Sequence, residues 1–397
     1  MNKGIEIARG KTKILYEHPD NPDQLVVKQT DAITAGDGAR RHEIPGKGRL
    51  AAQTTARVFR LLNLCGLPTH YLSGGEDDDA NEMLVRRCAM IPLEVVVRGV
   101  AAGSLVRRNP TLVKGTPLVP RVVEFFLKDD AAHDPLIGAD EIVARSIADP
   151  NEVAAMSELA RLTFEILSHA WRRRNVLLVD LKVEFGRLVS GEGKGQLVLA
   201  DVIDNDAWRI WPQGREELML DKQLYRNLDT VDSQGLDRVR EAYERVANLT
   251  SDFPVMRPAA AAVIAAGSAD VEPATAIAQA LGQFGLPVVR RVADPVTTPG
   301  FVLQAVQQLE AALMRVVFVA VGDRALKEML EYAAASPVLD GRDDPRAVAL
   351  RAAKILGVDD TVSYGRVLLM QAALRSAVLH ADAALQQPSQ PPAGTLA

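Results

Sequence analysis

Between residues 178 and 186 the chain reads LVDLKVEFG, with a charge at every second position from 180 on. On a strand, successive side chains point to opposite faces. Asp180, Lys182 and Glu184 then share one face, and Val179, Leu181, Val183 and Phe185 share the other. The bland alternative is the solvated face of an edge strand, and the residues that follow weaken it. SGEGKG at 190–195 has the composition of a turn, and QLVLADVIDND comes next. A hairpin through that turn brings Asp201 towards Lys182 and Glu184. Carboxylates on neighbouring strands beside a lysine make a hard-oxygen site that suits Mg²⁺ held with ATP phosphates.

Cations that could meet phosphates lie elsewhere. GKT at 10–12 invites a P-loop reading, but five residues separate Gly4 from Gly10 where the P-loop has four, and no strand precedes Gly4. Lys11 and Lys13 instead sit at a turn opening a strand, as point charges for phosphate or as ordinary surface lysines. In RGVAAGSLVRR, a Gly-Ser turn flanked by arginines offers the Ser104 hydroxyl and the Arg98 fork. DNDAWRIWP adds Asp206 and Arg209 beside two tryptophans, read as core or wall rather than a stacking platform. FFLKDDAAHDP adds Lys128 and Asp134, with His133 read as structural.

Elements must position these groups. KILYEH, QLVVKQT, MLVRRCAMIPLEVVVRGVAAGS, NVLLVDLKVEFG and GQLVLADVID are apolar, rich in Val, Leu and Ile, and bounded by turn residues, so they read as strands. Apolar spacing predicts helices over 47–65, over 151–173 with Asn151 as cap, and over 233–249. This is an α+β pattern. SDFPVMRP at 251–258, with two prolines, reads as a linker. Beyond it, strands at AAAVIAAGS, LPVVRRVA and MRVVFVAVG alternate with helices at 271–283 and 299–313, and helices follow at 345–357 and 361–386. That alternation implies βαβ units and a parallel sheet. QQPSQPPAGTLA has the composition of a disordered tail.

The bulk numbers fit two globular domains. The chain has 397 residues, 48% of them hydrophobic and 24% charged, with a formal net charge of −5. The charge is spread evenly, which argues against nucleic acid as a partner. No apolar run is long enough to span a membrane, and MNKGIEIARGKTK has no apolar signal core. The two cysteines, Cys65 and Cys88, have neither disulfide-scaffold nor zinc spacing, and a reducing cytoplasmic setting is expected.

Taken together, RGKTKILY, TDAITAGDGARR, CAMIPLEVVVRGVAAGSLVRR, FFLKDDAAHDP, LVDLKVEFG, LADVIDNDAWRIWP and DKQLYR resemble the SAICAR synthetase family (phosphoribosylaminoimidazole-succinocarboxamide synthase) of purine biosynthesis, over about residues 6–250. The resemblance implies a two-lobed α+β fold of ATP-grasp or kinase-like type. It implies an ATP-dependent ligase that joins L-aspartate to the carboxylate of an aminoimidazole ribotide through an acyl phosphate. Carried over by residue, Lys11, Lys13 and Lys128 would contact ATP, with Met90, Ile91 and Pro92 against the adenine. Glu184 and Asp201 would hold Mg²⁺. Arg98, Ser104 and Arg209 would bind the 5′-phosphate of the ribotide, and Lys182 would lie near its carboxylate. Asp37, Arg40, Asp134, Asp206, Lys222 and Arg226 match positions around the substrates. A small-molecule kinase that stops at phosphate transfer is the competing reading.

Residues 259–387 resemble a second purine family, phosphoribosylaminoimidazole carboxylase, a small α/β flavodoxin-like fold. AVIAAGSADVEPATAIAQALGQFGLPVVRRV looks like its first βαβ turn, and AVALRAAKILGVDD with the helix after it looks like its C-terminal helices. The animal enzyme of this pathway fuses the same two domains. The departures fall on chemistry. The family's Gly-Ser-x-Ser-Asp turn is here Gly267, Ser268, Ala269 and Asp270 preceded by Ala266, with the serines displaced or lost. Its Ser-Ala-His and following basic residue are here Asp294, Pro295, Val296 and Thr297. No histidine occurs between His169 and His380, and a proton-transfer site without its histidine is a poor catalyst. The second domain is therefore expected to be an inactive carboxylase fold that drives homo-oligomer assembly through the stripe of Val367, Leu368, Met370, Leu374, Val378 and Leu385. A ribotide-binding regulatory module and a bifunctional enzyme are the alternatives.

Overall fold

The structure is a computed structural model. It describes every residue except 37–38, 78–79, 256–258 and 387–397, and leaves aside the helix side chains at 130, 380 and 383–386. The expected linker falls partly, and the expected tail from 388 wholly, outside the described residues. The chain divides into two compact units, Met1–Val255 and Met256–Ala397.

In the first unit the strands are β1 (Glu6–Arg9), β2 (Lys13–Glu17), β3 (Gln24–Gln29), β4 (Ala32–Ala35), β5 (Arg40–Glu43), β6 (Tyr71–Gly74), β7 (Glu82–Arg86), β8 (Cys88–Val100), β9 (Pro117–Leu127), β10 (Leu136–Ile137), β11 (Val176–Leu188), β12 (Leu197–Ala200) and β13 (Trp208–Pro212). The helices are α1 (Lys47–Cys65), α2 (Gly103–Arg108), α3 (Ala139–Ala144), α4 (Pro150–Arg172), α5 (Gln223–Arg226) and α6 (Ser233–Leu249). One antiparallel sheet runs β1-β2-β3-β7-β6. A second runs β10-β9-β8-β11-β12, with β13 also paired to β11. The long apolar run expected around 83–104 is therefore two strands in different sheets, divided at Arg87.

The hairpin from β11 to β12 places Glu184 opposite Ala200. Its turn carries Gly191, Gly193 and Gly195, all with φ between +71° and +88°, where other residues would be strained. Helix α4 begins at Pro150, and its cap is Asp149 rather than the expected Asn151. The Asp149 carboxylate accepts the Glu152 N–H at 2.9 Å, and Glu152 answers the Asp149 N–H at 3.0 Å. This reciprocal box, followed by proline at the first helical position, outcompetes a single Asn cap. The AAGS segment is not a simple turn: Gly103 and Ser104 open the short helix α2.

Helix α4 packs on β8 and β11 through Met156, Ala160, Phe164, Leu167 and Trp171. Trp171 is fully buried, with Trp208 edge-on at 5.2 Å and Phe253 edge-on at 5.0 Å. A smaller cluster joins α1, α6 and the β4–β5 hairpin through Ile33, Ile44, Leu50, Tyr225, Val239 and Tyr243. Both tryptophans of DNDAWRIWP are buried.

The second unit alternates β14 (Ala259–Ala265), α7 (Val271–Gln283), β15 (Val288–Val292), α8 (Pro299–Ala312), β16 (Arg315–Val321), α9 (Arg324–Ala333), β17 (Val338–Asp340), α10 (Pro345–Gly357) and α11 (Thr361–Gln386). The sheet is parallel, in the order β15-β14-β16-β17. Its two central strands bury both faces, as parallel strands between helices must. Ala261, Val263, Val317 and Val319 face α7 and α10. Ala262, Ile264, Val316 and Phe318 face α8 and α9. The first three strands follow the doubly wound flavodoxin-like order. Among the described residues no helix is long and apolar enough to cross a membrane.

Trp171→Ala is expected to destabilise the first unit by about 3–5 kcal/mol, the range for deleting a large buried aromatic. Urea unfolding followed by circular dichroism checks it.

Candidate active site

The polar face of β11 meets β8 in register: Asp180 stands against Arg98, Lys182 against Val96, and Glu184 against Glu94. Lys182 Nζ donates to Glu94 Oε1 at 2.5 Å and lies 3.5 Å from Glu184 Oε1. Lys128, in the loop after β9, donates from Nζ to Glu184 Oε2 at 2.7 Å. Lys13, the first residue of β2, pairs with Asp201, which follows the last residue of β12 and takes φ +66°. Lys13, Lys128 and Lys182 thus surround a carboxylate that is 4% exposed.

The charges set one another's protonation. Burial alone pushes the Glu184 carboxyl up, but Lys182, Lys128 and Lys13 outweigh it and hold the group below its ordinary range. Burial pushes Lys13 down to about 8, against the pull of Glu184, with Lys128 and Lys182 adding to the depression. Lys182 is held above its ordinary value because Glu94 and Glu184 overcome its burial. Cations so crowded are poised for a polyanion. Among the described residues no three His, Cys, Asp or Glu side chains gather as a metal cage. Two carboxylates on adjoining strands nonetheless fit Mg²⁺, which commonly takes one or two carboxylates together with substrate phosphates and water.

At the other end of the strand face, Asp180 accepts Arg98 Nη1 at 3.2 Å and Arg209 Nη1 at 2.6 Å. Arg98 also donates to Glu124 at 2.5 Å and to Ser104 Oγ at 3.0 Å, and its side chain is 4% exposed. A cleft of about 750 Å³ opens over this face. Glu94, Arg98, Ser104, Asp180, Lys182 and Arg209 line it from the sheet side, and His133, Asp134, Asp206, Lys222 and Arg226 line it from surrounding loops. Asp206 is clamped by Lys222 Nζ and by the Tyr243 hydroxyl, each at 2.7 Å. His133 and Asp134 both take positive φ, +58° and +48°. The backbone N–H of Asp129 donates to the Asp134 carboxylate at 2.9 Å, which knots this loop at the cleft rim. Backbone held in so sparsely populated a region is characteristic of functional sites.

The SAICAR synthetase family model matches residues 6–243. The chain belongs to the SAICAR synthetase family. A phosphoribosylaminoimidazole-succinocarboxamide synthase from Roseiflexus sp. (strain RS-1) is 52% identical over 250 residues, covering 63% of this chain and 98% of the relative. A solved SAICAR synthetase (Type-2) in complex with ADP superimposes with a TM-score of 0.54 at 34% identity, covering 62% of this chain and 97% of that one. The bifunctional phosphoribosylaminoimidazole carboxylase/phosphoribosylaminoimidazole succinocarboxamide synthetase of Drosophila melanogaster is 37% identical over 328 residues, 81% of this chain and 75% of the fly protein. That match runs past the first unit into the second.

Within this SAICAR synthetase fold, the residues singled out from the sequence divide into three groups. Lys13, Lys128, Lys182, Glu184 and Asp201 come together at the β12 end of the strand. Arg98, Ser104, Asp134, Asp206, Arg209, Lys222 and Arg226 come together in the cleft. Lys11, Arg40 and Met90 are not among the residues that line the cleft. Lys11 is exposed on the turn ahead of Lys13. Met90 is 45% exposed on β8, opposite Gly186. Arg40 donates to the carbonyls of Tyr225 and Leu228 at 3.2 and 2.9 Å, anchoring α5 from behind. Asp37 lies outside the described residues.

Sequence reasoning passed over Glu94, Glu124, Arg107, Asp221, Gln223 and Tyr243. Glu94 was findable, because Glu94 and Arg98 flank Val96 on one face of an alternating strand, as Asp180 and Glu184 flank Lys182. Asp221 was not, because its partners are backbone N–H groups, those of Ile210 at 3.1 Å and Gln223 at 2.9 Å.

Burial pushes Asp221 up to about 6, against those two hydrogen bonds and the Arg209 charge. A carboxyl raised in the folded state contributes stability fully below its unfolded value near 4, and loses it as pH rises through about 6. Asp221→Asn lacks that loss. The stability of the variant relative to the parent is expected to rise by about 2–3 kcal/mol between pH 4 and pH 7, measured by denaturant unfolding across that range.

Proposed function

We propose that the first unit joins L-aspartate to the carboxylate of carboxyaminoimidazole ribotide at the expense of ATP, in a cytoplasmic purine pathway. The observation that carries this reading is the order of charges along β11. At about 3.3 Å per residue, Asp180 and Glu184 lie about 13 Å apart. That span sets a ribotide, with its phosphate at the Arg98–Arg209 end and its carboxylate beside the midway Lys182, next to ATP phosphates at the Glu184 end. ATP then approaches from the lysine-rich end, with Lys11, Lys13 and Lys128 on its phosphates and Met90 against the adenine. Glu184 and Asp201 would hold Mg²⁺, which would supply charge neutralisation for the ATP phosphates.

The chemistry follows from the positions. The ribotide carboxylate attacks the γ-phosphorus, the bond to the bridging oxygen of ADP breaks, and an acyl phosphate forms. The amine of aspartate then attacks the acyl carbon, phosphate leaves with its oxygen, and the amine gives up a proton. Two anions must meet in the first step, so screening by Lys182 and Lys128 matters more than any covalent help. Ser104 and Arg209 hold the 5′-phosphate, and the buried Arg98 holds Asp180 and Ser104 in place for it. Lys222 and Arg226, one helical turn apart, suit the two carboxylates of aspartate, with Asp206 to orient Lys222. Asp134 sits at the same rim, and Arg40 steadies the helix that carries Arg226 through the Tyr225 and Leu228 carbonyls. A coupled assay with the ribotide, ATP and aspartate tests the reading: ADP release must require aspartate. ADP released without aspartate would make the unit a small-molecule kinase instead.

Glu184→Gln is expected to lower kcat by about 10²–10³-fold, the scale for removing one preorganised charge at a phosphoryl centre, and to raise KM for Mg–ATP. Ribotide affinity, read by calorimetry, should change less than threefold. Normal turnover in that variant would remove the metal from this place.

The second unit we read as non-catalytic. Its strand ends are occupied by aspartates that serve their own backbone. Asp294 accepts the N–H groups of Val296 and Thr297, Asp323 caps α9, and Asp344 caps α10. Anionic caps repel an anionic ribotide rather than hold it. On α11, Val362 and Val367 are buried while Leu374, Val378 and Leu379 are exposed, and a second copy of the chain would cover them in a homo-oligomer. Leu374→Glu with Val378→Glu is expected to lower the oligomer mass by light scattering while leaving aspartate-dependent turnover within threefold. The fly relative's name favours the bifunctional alternative, and a carboxylation assay on the full chain decides it. Thermal stabilisation by the ribotide when the first-unit site is disabled would instead mark a regulatory module.

A further inference from the structure

Lys47 is the first residue of α1, and its side chain is fully buried. Its Nζ makes no hydrogen bond. The location is doubly unfavourable for a cation. A buried ammonium without partners costs several kcal/mol, and the start of a helix is the positive end of its dipole. The free N–H groups there are already answered, since Asp31 accepts those of Gly46 at 3.1 Å and Gly48 at 2.8 Å. A methionine of similar length would fill the space at less cost. A residue that breaks local rules this way points to function.

The surroundings say which function. Lys47 Nζ lies 5.2 Å from the centre of the Tyr243 ring. The Tyr243 hydroxyl donates to Asp206 Oδ1, and Lys222 Nζ donates to Asp206 Oδ2. The backbone N–H of Asp206 donates to Asp204 Oδ1 at 2.9 Å, and Asp204 is 3% exposed. The buried Asp204 and the half-buried Asp206 two residues on therefore lie near two lysines, Lys47 in the interior against the Tyr243 ring and Lys222 lining the cleft. Lys182 and Asp221 are the next charges that face this group.

We propose that Lys47 is a positioning residue for the amino-acid substrate: it is the buried counter-charge that keeps Asp206 ionised, so that Asp206 holds Lys222 in the cleft. This rests on the reading of the cleft given above. The electrostatic balance agrees. Burial opposes ionisation of both aspartates, and Lys222 and Lys47 together bring Asp206 below its ordinary range while Asp204 stays raised beside it. Without Lys47, two carboxylates must share one neighbouring cation, and a proton is taken up at a higher pH.

The test uses the full chain with Lys47→Met, Asp204→Asn and the double variant, assayed for aspartate-dependent ADP release from pH 5.5 to 9. For Lys47→Met the expected result is a KM for aspartate raised by about tenfold, a KM for ATP within twofold of the parent, and a new loss of activity on the acid side. The double variant removes one charge of each sign. It should return KM for aspartate to within threefold and erase the acid limb, which a purely packing role for Lys47 does not allow. A parent-like profile in Lys47→Met overturns the proposal, as does a double variant as impaired as Lys47→Met. If Lys47→Met does not fold, the double variant decides alone: folding with near-parent aspartate kinetics supports the proposal, and failure to fold or turn over defeats it. A parent chain that needs no aspartate would defeat the cleft reading instead, whatever the variants do.

Discussion

A central strand that carries a charge at every second position can be buried only if each charge finds a partner. That constraint on β11 organises the first unit. Asp180 is met by Arg98 and Arg209, Lys182 by Glu94, and Glu184 by Lys128. The four partners come from three pieces of chain, so β8, β13 and the loop after β9 are all fixed relative to one strand. The rise of the strand then acts as a ruler that spaces the Arg98–Arg209 end from the lysine-rich end.

These pairs are weak evidence for stability. Removing charges from water costs energy that pairing returns only in part, and an apolar core of the same volume would be no less stable. Their value is in preorganisation, because the cations around Glu184 are already held in place for any anion that enters. The stability of the unit comes from elsewhere, from the Trp171 cluster on the far side of the sheet and from the α1–α6 cluster. Polar and apolar faces of β11 thus divide the labour, and the alternation in LVDLKVEFG records that division.

How much was legible follows from how local each signal is. Helices at 47–65, 233–249, 271–283, 345–357 and 361–386 were readable to the residue, because their apolar period and flanking Gly, Pro or Asp are contiguous in sequence. The β11–β12 hairpin was readable because the turn is glycine-rich and the pattern has period two. The cap of α4 was misplaced by two residues, since Asp149 and Asn151 are both good caps and only the reciprocal bond with Glu152 separates them. Arg98 looked like a free phosphate fork. Its bonds to Glu124 and Asp180 cross 26 and 82 residues of chain and leave no local trace. Lys47 was invisible for the same reason: a lysine opening a helix reads as solvated until α6 and the 204–206 loop are seen to close over it.

The second unit shows the converse. Its fold is written in the central β14 and β16 runs, buried on both faces, and in the helices that cover them. A doubly wound sheet places any ligand chemistry in loops at the carboxyl ends of its strands. Those loops contribute little to the core, so their residues can change while the sheet persists. Here aspartates that cap helices stand where an anion would have to bind.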